Sequence, residues 1–356
     1  MTAKIAGQMT DTATVAPRPT RPYWKADIAP YAQADLSRSL LDLATSVVPY
    51  FALMTTMVLL LGGGVSYWLV LPIAIPAAGF LLRTFIVFHD CTHGAFMPTK
   101  RGNHVVGAVV GTVVFHGFQA WRHSHAMHHA TAGDLDRRGE GDVPTFTVEE
   151  YLAHDLPMRA GYRLFRNPLV MFGIGWLWGL VIQPRLVPKG ARSRIRRSVW
   201  STNAVLAVIV TGLGLWIGFG TLFSLLGPTA ALAGAAGVFL FYVQHQFEDT
   251  YWENTDSWSY ADAALRGSSY LKLPKILQFF TGNIGLHHVH HLSARVPNYN
   301  LQAAHDGIDL FRDVPVLTFW DGVRATRLKV WSSEHRRLLT WAEVRALKRA
   351  VPVLAS

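Results

Sequence analysis

The sequence contains a single cysteine, Cys91, among 356 residues. One cysteine cannot form an intramolecular disulfide, so a small secreted fold held together by disulfides is excluded. A fused iron–sulfur domain is excluded too, because such clusters need about four cysteine ligands. Charged residues are also scarce: they make up 16% of the chain, whereas a typical soluble domain has about 25%. Half of the residues are hydrophobic, so the composition indicates an integral membrane protein.

Two long stretches, residues 43–82 and 198–247, contain no Asp, Glu, Lys or Arg. A helix that crosses a bilayer needs about 20 apolar residues, so each stretch is long enough for two spans. Turn-forming residues interrupt both stretches near the middle. They are Gly62, Gly63 and Gly64 in the first stretch, and Gly218, Gly220 and the Gly227–Pro228 pair in the second. We therefore predict two transmembrane helical hairpins, with spans near residues 44–61, 66–86, 199–218 and 228–247.

The expected fold class is an all-α integral membrane protein with about four spans and a helical cytoplasmic cap. Two shorter uncharged runs, residues 104–119 and 167–184, are marginal for crossing a bilayer, and we expect interfacial or re-entrant segments there. The first 30 residues lack the apolar segment of a cleaved signal peptide. The predicted organisation is an N-terminal cytoplasmic tail (1–39), a membrane domain (40–310) and a C-terminal cytoplasmic tail (311–356).

The distribution of basic residues predicts the orientation of the chain. Lys and Arg are absent from both hairpin turns, but they are frequent near both termini and just before the third predicted span. The positive-inside rule places these basic segments, and therefore both termini, in the cytoplasm. The formal net charge of +10 suits the anionic lipid of the inner leaflet. We therefore expect a protein of the cytoplasmic (inner) membrane that does not bind nucleic acid.

Histidine is abundant, and ten of the 16 histidines fall within residues 89–93, 123–129 and 287–291. All three windows lie on the predicted cytoplasmic side. On a helix, residues three and four positions apart share a face. His123 and His288 point away from the faces that the others share, so we exclude them as ligands. Eight imidazoles are predicted to converge: His89, His93, His125, His128, His129, His287, His290 and His291.

His245 is a ninth candidate, and it is the only histidine in residues 198–247. An ionisable residue within an apolar span is often functional. The alternative is a histidine hydrogen-bonded at the membrane interface, for example to Glu248, but the three histidine windows favour metal ligation. The eight convergent imidazoles alone are too many for one tetrahedral zinc and are enough for two metals of mixed coordination. Imidazole suits iron, copper, zinc and nickel alike, and the sequence has no HExxH zinc motif.

The three histidine boxes, HxxxH, HxxHH and HxxHH, resemble those of the membrane fatty acid desaturases. Longer segments are similar to bacterial acyl-lipid desaturases of the Δ5 and Δ12/ω6 type, and the resemblance covers roughly residues 40–310. These segments are HDCTHGAF, WRHSHAMHHATAGDLDRRGEGDVPTFTVEEY and GLHHVHHLSARVPNYNL.

The resemblance implies a non-haem di-iron centre at the cytoplasmic membrane face, with two Fe ions and O2 as co-substrate. It implies the introduction of a cis double bond into the acyl chain of a membrane lipid or an acyl thioester. An external electron donor of ferredoxin, rubredoxin or cytochrome b5 type would supply two electrons. The implied iron ligands are His89 and His93 of the first box, His125, His128 and His129 of the second, His287, His290 and His291 of the third, and His245 before the last box.

Other functions remain compatible with the histidine spacing. A fatty acyl, alkane or carotenoid hydroxylase, or a carotenoid ketolase, would use histidine boxes on the same scaffold. A metal transporter is a different class, but transport sites lie near the bilayer midplane, whereas the three windows lie outside both uncharged stretches. A bis-histidine haem protein would need single histidines on facing helices rather than triplets.

Overall fold

Four long apolar helices form two hairpins in the structure, a computed structural model that describes residues 22–139 and 141–350. The first part of the described chain contains helices joined by irregular segments and no β-strand. Its helices are α1 (Lys25–Ile28), α2 (Leu36–Gly62), α3 (Tyr67–Val70), α4 (Ala74–His93), α5 (Lys100–Val113), α6 (Phe118–Thr131), α7 (Val148–Ala153), α8 (Leu156–Phe165) and α9 (Pro168–Gly173), with a π-helix at Leu177–Ile182 and 3-10 turns at Leu71–Ile73 and Gln183–Arg185.

The second part of the described chain adds two long helices and several short elements. They are α10 (Ser193–Ile217), α11 (Phe219–His245), α12 (Tyr260–Arg266), β1 (Tyr270–Lys272), α13 (Lys275–Phe280), α14 (His287–Leu292), α15 (Leu301–Gly307), β2 (Val316–Thr318), α16 (Phe319–Ala325), β3 (Leu328–Ser332), β4 (Arg337–Thr340) and α17 (Trp341–Ala350), with 3-10 turns at Asn298–Asn300 and Asp309–Phe311.

Among the described residues, four helical segments are long and apolar enough to cross a membrane, namely α2, α3 together with α4, α10 and α11, and the two bent helix pairs described below could add up to two more. This confirms the predicted all-α membrane fold with two hairpins. Asp35 begins α2 by accepting a hydrogen bond from the Arg38 backbone N–H at 2.8 Å, which satisfies a free donor of the first turn. Gly94 ends α4 in the left-handed conformation, with φ of 68°, which glycine adopts without steric cost.

The turn of the second hairpin differs from the prediction. The chain reverses at Gly218 alone, where φ is 88°, and α11 begins at Phe219 rather than at residue 228. Pro228 lies inside α11. The prediction was wrong because it treated the Gly227–Pro228 pair as a helix break, whereas helices in a bilayer tolerate internal proline.

The two shorter uncharged runs fall in bent helix pairs. Helices α5 and α6 meet at an angle of 100°, and the second pair, Leu156–Phe165 with Pro168–Arg185, is bent by 56°. The sharp elbow between α5 and α6 turns the chain away from a straight path across the bilayer. The expectation that these runs are interfacial or re-entrant therefore stays compatible with their geometry.

The short elements form a cap at the end of the bundle where α4 and α11 terminate. Strand β1 pairs in parallel with β2, and β3 pairs antiparallel with β4. Leu240 of α11 belongs to the same buried core as Leu286, Leu301 and Phe311. The described part of the chain after residue 310 is therefore packed onto the membrane domain, although the sequence predicts a tail there.

Arg166 joins the cap to the spans, and it is fully buried. Its guanidinium donates to the Pro144 carbonyl at 3.0 Å, to Gln246 Oε1 at 2.7 Å and to the Leu328 carbonyl at 3.1 Å. Hydrogen bonds to a buried charge are stronger than those between neutral groups. This side chain therefore connects the loop before α7, the end of α11 and the start of β3.

Candidate metal centre

Four helix ends bring the predicted histidines together. The last turns of α4, α6 and α11 meet the short helix α14, which consists of His287–Leu292. Gly94 stops α4 directly after the first histidine box, so the chain turns away from the site. Nine imidazoles, those of His89, His93, His125, His128, His129, His245, His287, His290 and His291, form two groups in which the candidate ligand atoms lie within 4.8 Å of one another.

The five-histidine group contains His89, His93, His125, His129 and His290. His129 Nε2 lies 3.1 Å from His125 Nε2 and 2.9 Å from His290 Nε2. The rings of His89 and His93 have centroids 4.8 Å apart, because one helical turn of α4 separates them. Three different elements therefore direct ring nitrogens toward one small volume.

The four-histidine group contains His128, His245, His287 and His291. His245 Nε2 lies at its centre, 3.1 Å from His128 Nε2 and 3.0 Å from His287 Nε2. Helices α6 and α14 both contribute to each group, so the second and third boxes divide their histidines between two neighbouring sites. This arrangement suits two metal ions more naturally than one.

In three of these rings, Nδ1 forms a hydrogen bond with a carboxylate or carbonyl oxygen. His128 Nδ1 lies 2.5 Å from Asp142 Oδ1, and His89 Nδ1 lies 2.9 Å from Asp90 Oδ1. His245 Nδ1 is 3.0 Å from the Gly267 carbonyl. In each pair the oxygen accepts the Nδ1–H, so the Nε2 lone pair is available for a metal.

Several ring nitrogens of the two groups are buried and have no hydrogen-bond partner in the described part of the chain. They are His93 Nε2, His129 Nδ1, His287 Nδ1 and His291 Nε2. Buried polar atoms are normally hydrogen-bonded, so a cluster of exceptions needs a physical cause. Burial lowers the pKa of His290 and His291 well below the ordinary value, and neighbouring imidazoles lower it further. Neutral imidazoles with free lone pairs are the form that binds metal, so the donor set fits a pair of metal ions.

The two histidines that the spacing excludes lie outside both groups. His123 is exposed on α6. His288 is buried, but its Nε2 lies 3.0 Å from His305 Nδ1, and burial lowers its pKa to about 3. His288 therefore contacts the cap rather than the candidate metal centre.

An apolar cavity of about 310 Å³ lies beside the two groups. His89, His125 and His287 of the two groups form part of its lining. Its remaining wall is mostly aliphatic and aromatic, and includes Leu82, Phe85, Trp121, Trp176, Gly237 and Phe241. A cavity with apolar walls and a few convergent polar groups is the usual form of a small-molecule site. An aliphatic chain in this space would lie against the histidines.

The sequence did not identify the roles of Asp90 and Asp142. Acidic residues close to histidine motifs are more often helix caps or solvated loop residues, so their positions in the sequence gave no reason to pair them with the histidines. Only the fold brings Asp142 back to α6 and places Asn298, whose backbone N–H donates to Asp90 Oδ2 at 2.6 Å, behind the first box.

Comparison with known proteins agrees with this geometry. The family model described as "Fatty acid desaturase" matches residues 66–320. A "Fatty acid desaturase" of Bacillus subtilis (strain 168) is 40% identical over 325 residues, which cover 91% of this chain and 92% of that protein.

More distant relatives carry more specific names. An "sn-1 oleoyl-lipid 12-desaturase" of Synechocystis sp. is 28% identical over 69% of this chain and 70% of its own length. An "Omega-6 fatty acid desaturase, chloroplastic" of Arabidopsis thaliana is 27% identical over 68% of this chain and 54% of its own length. The chain belongs to the fatty acid desaturase family, whose members are membrane-bound oxidoreductases.

Proposed function

We propose that this enzyme is an O2-dependent acyl-lipid desaturase whose nine clustered histidines bind two iron ions. The observation that supports this most strongly is the division of the nine imidazoles into a group of five and a group of four. Each group exceeds the three protein ligands that are typical of catalytic zinc. Two adjacent groups that share two helices support a dinuclear centre.

The chemistry of the substrate supports iron as the metal. A saturated methylene has no acidic proton and no electrophilic carbon, so general acid–base groups and Lewis-acid zinc have nothing to act on. Removal of its hydrogen atoms requires a redox metal, and imidazole ligands suit iron. When bound, the iron pair would supply the reaction of O2 that removes two hydrogens from the acyl chain.

The side chains around the centre have separate roles in this proposal. Asp142 and Asp90 accept the Nδ1–H of His128 and His89, and so hold both rings with Nε2 directed inward. Phe85, together with the other apolar side chains of the cavity wall, excludes water from the reacting part of the acyl chain. Exclusion of water also protects reactive species from side reactions.

The names of the relatives support a membrane lipid as the substrate, because the Synechocystis protein is named for an oleoyl-lipid. The product would be a cis-unsaturated acyl chain. The basic segments would face the cytoplasm at the inner membrane, where an external donor of ferredoxin, rubredoxin or cytochrome b5 type would deliver two electrons. A positively charged surface favours encounter with an acidic redox protein.

Expression in a bacterium that lacks polyunsaturated lipids tests this function. A ferredoxin system is supplied, and total fatty acids are analysed by mass spectrometry with localisation of the double bond. We expect a new unsaturated species from the unchanged chain and about two iron ions per purified chain. His128→Ala should lower product by more than about 100-fold, since loss of even an outer partner of a ligand costs about 10–100-fold.

His123→Ala is the matched control, because it removes an exposed histidine from the same helix. It should retain most of the activity. A hydroxylated product would contradict desaturation and favour a hydroxylase. Bound iron that the ferredoxin reduces, without any new lipid product, would contradict an acyl-lipid substrate.

A further inference from the structure

A second apolar space lies on the outer side of the bundle. This outer groove has a volume of about 1220 Å³ and runs between α2, α5 and α10. It extends along α10 from Arg194 to Trp216, which corresponds to about 33 Å of helix. The hydrocarbon core of a bilayer is about 30 Å thick, so the groove is long enough to accommodate an extended acyl chain.

One end of the outer groove is positively charged. Arg194 and Arg197 line it, three residues apart on one face of α10, and Ser198 and Ser201 follow on the same face. The lining contains no aspartate or glutamate, and within residues 22–139 and 141–350 neither guanidinium forms an ion pair. Arginine recognises phosphate through paired N–H donors. The charge and the apolar length together match an anionic phospholipid.

The outer groove and the inner cavity share one wall residue, Phe115. Phe115 lies in the elbow between α5 and α6 and has φ of 64°, an uncommon conformation for a residue with a side chain. The Arg185 guanidinium donates to its carbonyl. Strained backbone is often retained where it serves a function, and here it lies between a lipid-facing space and the histidines.

The elbow also lies close to the charged end of the outer groove. The Gln119 backbone N–H donates to Ser198 Oγ at 3.0 Å, and Ser198 directly follows Arg197. A lipid whose phosphate rests on the two arginines would therefore have the first part of its acyl chain near the elbow.

We propose that the outer groove binds a phospholipid of the surrounding membrane, with its phosphate at Arg194 and Arg197, and that one acyl chain reaches the inner cavity past Phe115. This inference rests on the proposed desaturase function for the fate of the chain, but lipid binding in the groove does not depend on catalysis. Phe115 is thus a positioning residue between a lipid-binding site and the candidate metal centre.

Binding is tested with the purified iron-loaded protein in detergent. Dioleoyl phosphatidylglycerol or dioleoylglycerol is added, and the lipid that remains bound is measured by native mass spectrometry. We expect the phospholipid to be retained and the phosphate-free lipid to be lost. The double variant Arg194→Gln with Arg197→Gln should retain at least about fivefold less phospholipid.

The double variant Arg192→Gln with Arg196→Gln is the matched control. It removes the same charge from exposed residues of the same segment that do not line the outer groove, and its retention should be unchanged. Equal loss in both double variants, or equal retention of the two lipids, would overturn the proposed phosphate site.

Passage past Phe115 is tested in vesicles of phosphatidylglycerol. Phe115→Trp should narrow the passage between the outer groove and the inner cavity and slow desaturation about fivefold, whereas Phe115→Ala should widen the passage and raise the rate. Both variants should keep their iron and bound phospholipid, which also reports on folding. A purely structural role would slow both variants alike and would overturn the passage. Retained lipid without desaturation by the unchanged, iron-loaded and reduced chain would overturn the proposed function while the groove site stands.

Discussion

Asp142 lies 14 residues after His128 in the sequence, yet its Oδ1 is 2.5 Å from His128 Nδ1. A carboxylate at this distance fixes the ring tautomer and makes Nε2 a stronger donor to a metal. We expect Asp142→Asn to lower iron affinity or desaturation about 10–100-fold. Titration of the iron-free protein with Fe²⁺ and measurement of product per bound iron would separate the two effects.

Asp249→Asn is the control for this substitution, since Asp249 is exposed and belongs to neither histidine group. Iron binding and turnover should both match those of the unchanged chain. If Asp142→Asn behaves in the same way, the contact with His128 has no effect on the metal centre.

The grouping of eight histidines could be predicted because helical spacing assigns residues to a face, and His245 was added because it lies within an apolar span. The carboxylates that hydrogen-bond to the Nδ1 atoms of these rings could not be predicted from the sequence. Asp90 follows His89 directly, and neighbours on a helix point about 100° apart, so spacing gave no reason to pair them. The contact forms because Asn298, more than 200 residues later, holds the other oxygen of Asp90. Contacts of this kind depend on tertiary structure rather than on local pattern.

We expect the buried Lys329 in β3 to make the free energy of unfolding depend on pH. Its side chain is buried, and burial, followed by the charge of Arg166, lowers the pKa of its amino group from 10.5 to about 8. Between these two values the unfolded chain binds more protons than the folded chain, so the free energy of unfolding rises with pH. The gain is at most about 3 kcal/mol. Thermal unfolding of the purified protein at about pH 8 and about pH 10 would measure it.

Lys329→Met removes the titrating group while it keeps an apolar stem of similar length. The free energy of unfolding of the unchanged chain should therefore rise relative to that of this variant as the pH increases from about 8 to about 10. A constant difference across this range would show that Lys329 does not titrate there.

At the scale of elements, α11 provides one wall of the inner cavity through Gly237. A Cβ at this position would first meet Leu82 Cδ1 at 3.8 Å, which is an ordinary contact, so a larger side chain would occupy cavity space. We expect Gly237→Leu to reduce desaturation of the longest acyl chains about tenfold relative to shorter ones, because pocket volume discriminates between chains by this order. Products from membranes with mixed chain lengths would be compared by mass spectrometry.

Gly212→Leu provides the matched control on the neighbouring long helix α10. Gly212 is exposed, and no atom lies within 4 Å of its Cβ position, so the new side chain would face lipid. Its product distribution should not change. An identical shift in both variants would mean that the effect comes from the bilayer rather than from the cavity.

The long elements could be predicted because a span is defined by the absence of charge over about 20 residues. Their ends were less predictable. Gly218 and the Gly227–Pro228 pair carry similar turn signals, and only the packing of the helix beyond residue 219 distinguishes them. Thr229, next to Pro228, is fully buried and donates to the Leu225 carbonyl, so the helix continues past the proline with its buried polar groups satisfied.

At the scale of the whole molecule, the strands of the cap and the packing of the chain after residue 310 could not be predicted from charge and hydropathy. The strands β3 and β4 contain few residues and follow a basic, mixed sequence that resembles a tail. Val330 and Leu339 nevertheless pack with Tyr151 and Tyr162 in one buried cluster. Such short strands become stable only through contacts with distant parts of the chain, which a local pattern does not contain.

The proposed orientation of the whole molecule rests on the positive-inside rule, and it can be tested with single introduced cysteines. The native Cys91 is buried, so it should contribute little labelling. Ser66 is exposed in the first hairpin turn, and Ser333 is exposed between β3 and β4. Because the positive-inside rule puts the basic cap in the cytoplasm, a membrane-impermeant maleimide should label Ser66→Cys in intact cells.

Under the same conditions Ser333→Cys should react only after the membrane is permeabilised. The two positions lie at opposite ends of the bundle, so each serves as the control for the other. The reverse pattern would invert the proposed orientation and place the candidate metal centre away from cytoplasmic electron donors. Labelling of both positions in intact cells would contradict the separation of the hairpin turn and the cap by a membrane.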